Sequence, residues 1–258
     1  MNNLLEFGVG NSKLGKNTLT FDLPAGHACP FAKECRSCVD LETGKIVDGP
    51  HTKYRCFGAT SEARFKKTVL ARHWRNYNLL KEAGLRSVKG MADLIDQSMP
   101  DNWIGLVRVH STGGDFFNSN YFKAWCEVAR RRPGQLTMYN GVKQILGTIF
   151  YAYSKAAPIV VRGLQSDNFK IVGSLGGTHD DVYEKHGYRT ARVVFSQAEA
   201  DELGLEVDHD DSHVWATDES FALLLHGTQP KGSDASKALQ ANKKLGWTGY
   251  NKNKEVTA

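Results

Sequence analysis

The sequence lacks the features of a membrane or secreted protein. It contains no run of roughly 18 or more apolar residues, which excludes a transmembrane helix. Residues Met1 to Glu6 carry neither a basic segment nor an apolar one, so we expect no secretory signal peptide. Internal repeats are also absent. These absences predict a cytoplasmic protein, in which thiols stay reduced and clustered cysteines usually bind metal.

The composition that remains is typical of a globular protein. The chain has 258 residues, of which 41% are hydrophobic and 24% are charged, as in ordinary folded domains. A chain of this length buries about 70–75% of its unfolded surface, so it needs no disulfides to stay folded. We expect one α/β domain over residues 1–228. A basic tail over residues 229–258 is predicted to be mobile or loosely docked.

The net charge of +5 is unevenly distributed. The segment Lys53–Lys89 has ten Lys or Arg against two Glu, whereas Asp201–Glu219 has eight acidic residues and no Lys or Arg. Five aromatic residues are interleaved with the basic segment: Tyr54, Phe57, Phe65, Trp74 and Tyr77. Together with the basic tail, this pattern is one footprint of nucleic-acid binding. A solvated helix face explains the same charge, and both interpretations stay open.

Strand and helix patterns alternate along the chain. Strands are predicted at residues 18–23, 103–109, 148–153, 170–174 and 191–195, with a last strand at 213–216 or 221–225. Helices are predicted at residues 61–83, 91–99, 120–132 and 197–203. This alternation predicts a parallel α/β sheet or barrel. In such folds the chemistry lies in loops that follow the carboxyl ends of the strands.

Four of the five cysteines fall within one such loop and its continuation. Five residues separate Cys29 from Cys35, two separate Cys35 from Cys38, and Cys56 follows 18 positions after Cys38. Thiolates at this spacing can surround one soft metal centre, either a structural zinc or an iron–sulfur cluster. Free core cysteines or a disulfide are the competing interpretations. Cys126 falls in a predicted helix and is expected to be a buried thiol.

Polar residues also close the second and third predicted strands. His110 and Asp115 follow the second strand, where this polar pair could bind substrate or form hydrogen bonds with cluster sulfurs. A structural histidine and a helix-capping aspartate explain the same residues. Lys155 follows the third strand and could neutralise an anionic ligand or a cluster, or simply be solvated.

Three weaker patterns complete the candidates. The segment Gly10–Lys16 approaches a P-loop, but Asn17 and a predicted strand follow it, which favours an N-terminal turn. Residues 179–181 and 209–213 combine His with Asp, which suits a hard metal or a solvated turn. The glycine-rich segment 173–177 is typical of a loop at a strand end.

The order of these features resembles the core of the radical S-adenosylmethionine (SAM) superfamily. The resemblance rests on a first strand at Thr18–Leu23, a three-cysteine loop, a helix, and a strand ending in Ser111-Thr-Gly-Gly-Asp115. It implies a partial, TIM-like (β/α)6 barrel whose cysteine loop holds a [4Fe–4S] cluster. It also implies that Gly113, Gly114 and Asp115 meet the amino group of SAM.

Three segments also resemble the bacteriophage gene product 88 family, namely residues 22–35, 108–116 and 150–155. This resemblance covers about residues 18–227. It implies a phage protein that acts in the cytoplasm of a bacterial host.

Two departures from the radical SAM pattern bear on function. The usual loop is CxxxCxxC, with three ligands and one open iron, whereas here the first gap is five residues and Cys56 could supply a fourth ligand. A cluster ligated by Cys29, Cys35, Cys38 and Cys56 has no site for SAM, and Asp115 replaces the usual Glu. We therefore favour a cluster that transfers electrons to a redox partner or stabilises the loop. A radical SAM enzyme is the first alternative, and a nucleic-acid-binding protein with a structural metal is the second.

Overall fold

The computed structural model describes residues 3–10, 14–139, 142–163 and 166–246. Within these ranges, eight strands form one sheet and two more form a small hairpin. The strands are β1 (Gly8–Val9), β2 (Thr18–Phe21), β3 (Ser37–Val39), β4 (Ile46–Asp48), β5 (Gly105–Val109), β6 (Gly134–Tyr139), β7 (Val142–Ser154), β8 (Phe169–Ser174), β9 (Thr190–Val194) and β10 (Phe221–Leu224).

After β4, the helices lie between successive strands of the sheet, except that β6 leads directly into β7 and the last helix follows β10. They are α1 (Phe57–Arg64), α2 (Ala71–Arg86), α3 (Val88–Ser98), α4 (Ser119–Arg131), α5 (Ala157–Val160), α6 (Asp180–Lys185), α7 (Gln197–Glu202), α8 (His213–Ala216) and α9 (Asp234–Lys244). A π-helical turn, Lys66–Leu70, joins α1 to α2. No helix of the described ranges is both long and apolar enough to cross a membrane.

Six strands of the sheet run parallel and lie in chain order, β2-β5-β7-β8-β9-β10. β1 pairs antiparallel with β2, and β6 pairs antiparallel with β7. Right-handed crossovers between strands that neighbour each other in chain order place the connecting helices α2 to α6 on the same face. The carboxyl ends of all six strands therefore meet at one edge of the sheet.

Both faces of the sheet are covered. On one face, Val107 and Phe150 pack in the largest core cluster with Trp125 of α4, Val160 of α5 and Tyr183 of α6. On the other face, Tyr151, Val172 and Phe221 pack against Val214 of α8. Cover on both faces explains why the parallel strands are mostly apolar. Cys126 is 3% exposed, so the predicted buried thiol is confirmed.

The structure confirms the α/β class and corrects several elements. The predicted helix 61–83 is interrupted, because Phe65 adopts φ −120° and ψ 57°, outside the helical region. Of the two alternatives for the last strand, residues 221–224 form it, and residues 213–216 are helix α8. In the described ranges the sheet is open, with β1 and β10 at its ends.

Part of the predicted tail is packed, which differs from the expectation for residues 229–246. The Gln229 side chain accepts a hydrogen bond from the backbone N–H of Arg55 at 2.6 Å and donates one to the Arg55 carbonyl at 3.1 Å. Ala235 of α9 is buried, and the Asn242 side chain donates to the Phe195 carbonyl at 2.8 Å. Residues 247–258 of the predicted tail lie outside the described ranges.

Candidate functional site

The cysteine loop lies across the carboxyl edge of the sheet. The backbone N–H of Asp115, after β5, donates to the Ala28 carbonyl at 3.1 Å. Farther along the loop, Glu34 donates to the carbonyl of Gly176, after β8, at 2.9 Å, and Lys53 donates to the Glu34 carbonyl at 2.8 Å. The loop is therefore tied to the strand ends that the sequence predicted to carry chemistry.

Three of the loop thiols belong to one site. Burial raises the pKa of Cys29 well above the usual thiol value, and the nearby charges of Asp115, Cys56 and Cys35 raise it further. Burial likewise raises the pKa of Cys56 to about 12, with Cys35 the next contributor. Cys29, Cys35 and Cys56 are therefore neutral thiols within electrostatic reach of one another.

Cys38 stands apart from these three. It lies in β3, opposite Val47 of β4. Burial raises the pKa of Cys38, and the positive charge of Arg36 acts against this rise. The negative charges of Glu62, Asp40 and Asp48 raise the pKa further, and none of these main contributions comes from another cysteine. Successive residues of a strand point to opposite faces, and the Ser37 hydroxyl lies 3.4 Å from the backbone nitrogen of Cys56. Strand alternation therefore turns Cys38 away from Cys56.

The donor chemistry of the loop fits a soft metal, since bound thiols lose their protons and become thiolates. Across the described ranges, however, no three His, Cys, Asp or Glu side chains stand together in an arrangement that could hold a metal ion. The structure thus brings three of the four predicted ligands to one site without arranging them as a ligand set.

Asp115 and Lys155 join the same site from neighbouring strand ends. The Asp115 carboxylate accepts hydrogen bonds from the Ser154 hydroxyl at 2.6 Å and from the backbone N–H groups of Lys155 and Phe116, both at 2.7 Å. Burial raises the pKa of Asp115, although these hydrogen bonds act to lower it. The Lys155 ammonium donates to the Ser174 hydroxyl at 2.8 Å. Burial raises the pKa of Cys35, and the positive charge of Lys155 partly offsets this rise.

The two glycines before Asp115 pack against the end of β2. A Cβ atom at Gly113 would lie 2.7 Å from the Leu23 carbonyl oxygen. Gly114 has φ +92°, and a Cβ there would lie 2.6 Å from the Leu23 Cβ atom. Close backbone approach thus explains both glycines without a ligand.

Asp22 holds this glycine turn in place, a role that the sequence alone did not predict. Its carboxylate accepts from the Ser111 hydroxyl and from the backbone N–H groups of Thr112 and Gly113, at 2.8, 2.5 and 3.1 Å. Burial acts to raise the pKa of Asp22, but His73 and these three bonds lower it overall. The only signal in the sequence was its position at the end of a predicted strand.

A family model described as gene product 88 matches residues 3–244, nearly the whole chain. The chain belongs to the gene product 88 family. The predicted membership is therefore confirmed. No curated protein and no solved structure matches the chain. The resemblance to the radical SAM core stays a prediction.

A buried Glu–His pair supports the cysteine loop of this gene product 88 protein. Glu62 of α1 accepts from the backbone N–H of Ala25 at 2.9 Å and lies 2.7 Å from Nδ1 of His73. Both side chains are fully buried. Among the described residues, the second carboxylate oxygen of Glu62 and Nε2 of His73 have no partner. The sequence did not point to either residue. Glu62 and His73 lie on different helices, α1 and α2, and they meet only because the chain bends between those helices.

His110 faces the helix-side core of the gene product 88 fold. Its Nε2 lies 3.0 Å from the Tyr121 hydroxyl, and its ring packs edge-on against Phe116. Burial lowers the pKa of His110 to about 3, so the ring is neutral. The structure therefore places His110 in a structural position, one of the two roles predicted for it.

The weaker sequence candidates also have structural contacts. Asp211 pairs with Arg108 on the face of the sheet that α8 covers, and Asp208 lies 3.4 Å from Nδ1 of His213. Asp180 accepts from the backbone N–H groups of Gly176 and Gly177. In the turn before β2, the backbone N–H of Gly10 donates to the Thr18 carbonyl, and the backbone N–H of Thr18 donates to the Gly15 carbonyl. Residues 11–13 of that turn lie outside the described ranges.

Several cations of the basic segment Lys53–Lys89 pair with local carboxylates. Lys53 pairs with Glu34, and Arg55 binds Asp48 through two nitrogens. Lys89 pairs with Asp93 at 2.7 Å. Part of the charge that suggested nucleic-acid binding is therefore neutralised within the gene product 88 chain.

Proposed function

We propose that this protein binds an iron–sulfur cluster through Cys29, Cys35 and Cys56, at the carboxyl edge of a partial (β/α)6 barrel. The proposal is supported by the backbone hydrogen bonds that tie the cysteine loop to the strand ends, and by the effect of these three thiols on one another's pKa values. When bound, such a cluster supplies one-electron transfer, or it fixes the loop structurally. An electron-transfer role requires a redox partner.

The strand order supports the barrel. Six parallel strands in chain order, with α2 to α6 on one face, form the repeated βα unit of such barrels. The face opposite the helices is filled by side chains that include Tyr151, Val172 and Phe221.

The residues around the thiols have separable roles. The Lys155 ammonium offsets negative charge beside Cys35. Asp115 ties the ends of β5 and β7 together, and Asp22 fixes the turn between β5 and Asp115. Because the free thiols have raised pKa values, ligation must release protons, so affinity for the centre rises with pH.

The separate position of Cys38 favours a second candidate, a radical SAM enzyme. Three thiolates leave one iron of a [4Fe–4S] cluster without a protein ligand, which SAM could occupy. Against this candidate, the Asp115 carboxylate already accepts three hydrogen bonds from the protein.

Anaerobic purification followed by electron paramagnetic resonance of the reduced protein tests the proposal. A cluster signal that SAM leaves unchanged supports an electron-transfer or structural centre. A signal that SAM shifts supports the radical enzyme. Zinc without inorganic sulfide rejects the cluster.

A further inference from the structure

A polar cavity of about 250 Å³ opens beside the cysteine loop, at the carboxyl ends of β8 and β9. Its polar lining consists of Glu34, Lys53, Tyr54, Asp180, Arg192 and Glu199. Ligands of α/β proteins bind at this edge of the sheet. None of the residues assigned above to the thiol site lines this cavity.

Tyr54 and Arg192 are the two lining groups that can donate to a ligand without giving up a partner among the described residues. Tyr54 is 9% exposed, and within the described part of the chain its hydroxyl makes no hydrogen bond. Over the same part of the chain, the exposed Arg192 guanidinium forms no ion pair. Among the described residues, the Tyr54 hydroxyl is not one of the fully buried polar atoms without a partner, so it is accessible from the cavity and can donate to a ligand there.

The three carboxylates of the cavity are fixed by the protein. Glu34 pairs with Lys53, Asp180 accepts from the backbone N–H of Gly176 at 2.8 Å, and Glu199 accepts from that of Phe195 at 2.6 Å. A carboxylate has about four acceptor positions, so each can still bind a ligand donor.

We propose that this cavity binds a small amino-carboxylate, with its carboxylate on Arg192 and its ammonium among the cavity carboxylates. A simple anion would face three carboxylates, whereas a simple cation would leave Arg192 unpaired. Guanidinium groups bind carboxylates in bidentate geometry. The volume suits a free amino acid.

The cavity also adjoins the thiol site. Cys35 and Phe195 both pack on the apolar cluster that contains Tyr54. A ligand in the cavity would therefore lie one side chain away from the proposed centre. In naming a substrate class for that centre, the inference rests on the proposed function.

Nuclear magnetic resonance titration of the full chain tests the inference, with the proteinogenic amino acids as probes, one at a time. The best binder is then compared with its deaminated acid and its decarboxylated amine. We expect shifts at the amides of Gly176, Gly177 and Arg192, and weaker binding of both singly charged analogues. Equal binding of either analogue, or no shift with any amino acid, would overturn the inference.

Two variants locate the ligand. Arg192→Gln and Tyr54→Phe should each weaken binding by about tenfold, the usual effect of losing a hydrogen bond to a charged group. Arg162→Gln, on an exposed arginine next to α5, is the matched control and should leave affinity unchanged. Unchanged affinity in Arg192→Gln would contradict the proposal.

The same titration on metal-free and anaerobically purified protein separates the two proposals. Amino-acid binding to a protein that never holds iron or sulfide would leave the cavity intact as a site and reject the cluster. A protein that holds the cluster but binds no amino acid would reject the cavity alone.

Discussion

At the scale of single residues, the carboxyl edge is held together by buried polar side chains rather than by the glycines alone. Asp22, Glu62 and Asp115 each accept hydrogen bonds from backbone N–H groups in the loops that follow β2, β5 and β7. Buried acceptors of this kind fix a loop in one conformation, because leaving the N–H groups unpaired is costly.

Gly58→Ala tests the close approach of α1 to the turn after β5. A Cβ atom at Gly58 would overlap the Thr112 carbonyl. Overpacking of this kind costs about 1–3 kcal/mol, so the free energy of unfolding measured by urea denaturation should fall by that amount. Gly15→Ala is the control, since a Cβ at Gly15 has nothing within 4 Å. Equal stability of Gly58→Ala and the parent protein would contradict the packing.

His110 predicts a pH dependence of stability. Its pKa is about 3 in the folded protein and near 6.5 when unperturbed, because burial disfavours the imidazolium. Between those values only the unfolded chain binds the proton, so the free energy of unfolding should decrease as pH falls from 6.5 toward 3. His110→Asn should make this decrease shallower in urea denaturation at several pH values. Asn suits the residue's φ of +62°.

The cysteine cluster could be found from the sequence, but its geometry could not. Thiols are rare enough that four within one loop indicate a shared site. Which three converge depends on β3, whose alternation directs Ser37 toward Cys56 and Cys38 away from it. A strand of three residues gives too little alternation to be recognised in the sequence.

At the scale of elements, Asn168 joins α4 to the sheet. Its side-chain amide donates to the carbonyls of Ala129, Arg132 and Thr148 at 2.8–3.0 Å. These carbonyls belong to the end of α4 and to β7, so one side chain fixes the position of a helix against a strand.

Asn168→Asp keeps the shape of this side chain but removes its donors. We expect a loss of about 1–3 kcal/mol of stability, since buried carbonyls lose their partner and a carboxylate is buried beside them. Thermal denaturation followed by circular dichroism measures the loss. Asn118→Asp is the control, because there the side-chain oxygen only caps α4 by accepting from Tyr121 N–H. A larger loss at Asn118 would contradict the assignment.

The apolar strands β5, β8 and β9 were predicted within one or two residues, because cover on both faces demands continuous apolar sequence. The longest strand, β7, begins six residues before its predicted start. The β3–β4 hairpin and β6 were missed. These strands are short or include exposed positions, so they lack a strong pattern. The break at Phe65 was also missed, since the residues on both sides of it are good helix formers.

At the scale of the whole molecule, charge alone is a weak guide to partners. The basic segment Lys53–Lys89 spans the loop end, α1, α2 and the start of α3, and several of its cations pair with carboxylates. Nucleic-acid binding stays a prediction from composition.

Salt titration of binding to a labelled single-stranded oligonucleotide tests that prediction. The logarithm of affinity falls with that of salt by about 0.7 per phosphate neutralised on a single strand. Because some of these cations are already paired with carboxylates, we expect a slope smaller than ten neutralised phosphates would give. A slope that corresponds to most of the ten cations would instead support a nucleic-acid interface.

The central claim is that Cys29, Cys35 and Cys56 hold an iron–sulfur centre and Cys38 does not. Iron and acid-labile sulfide content of the five single Cys→Ser variants, purified anaerobically, tests it most directly. The account predicts loss of both from the variants at positions 29, 35 and 56, and retention at Cys38 and at the buried control Cys126. Loss in Cys38→Ser with retention in Cys56→Ser, or no sulfide in any of them, would contradict it.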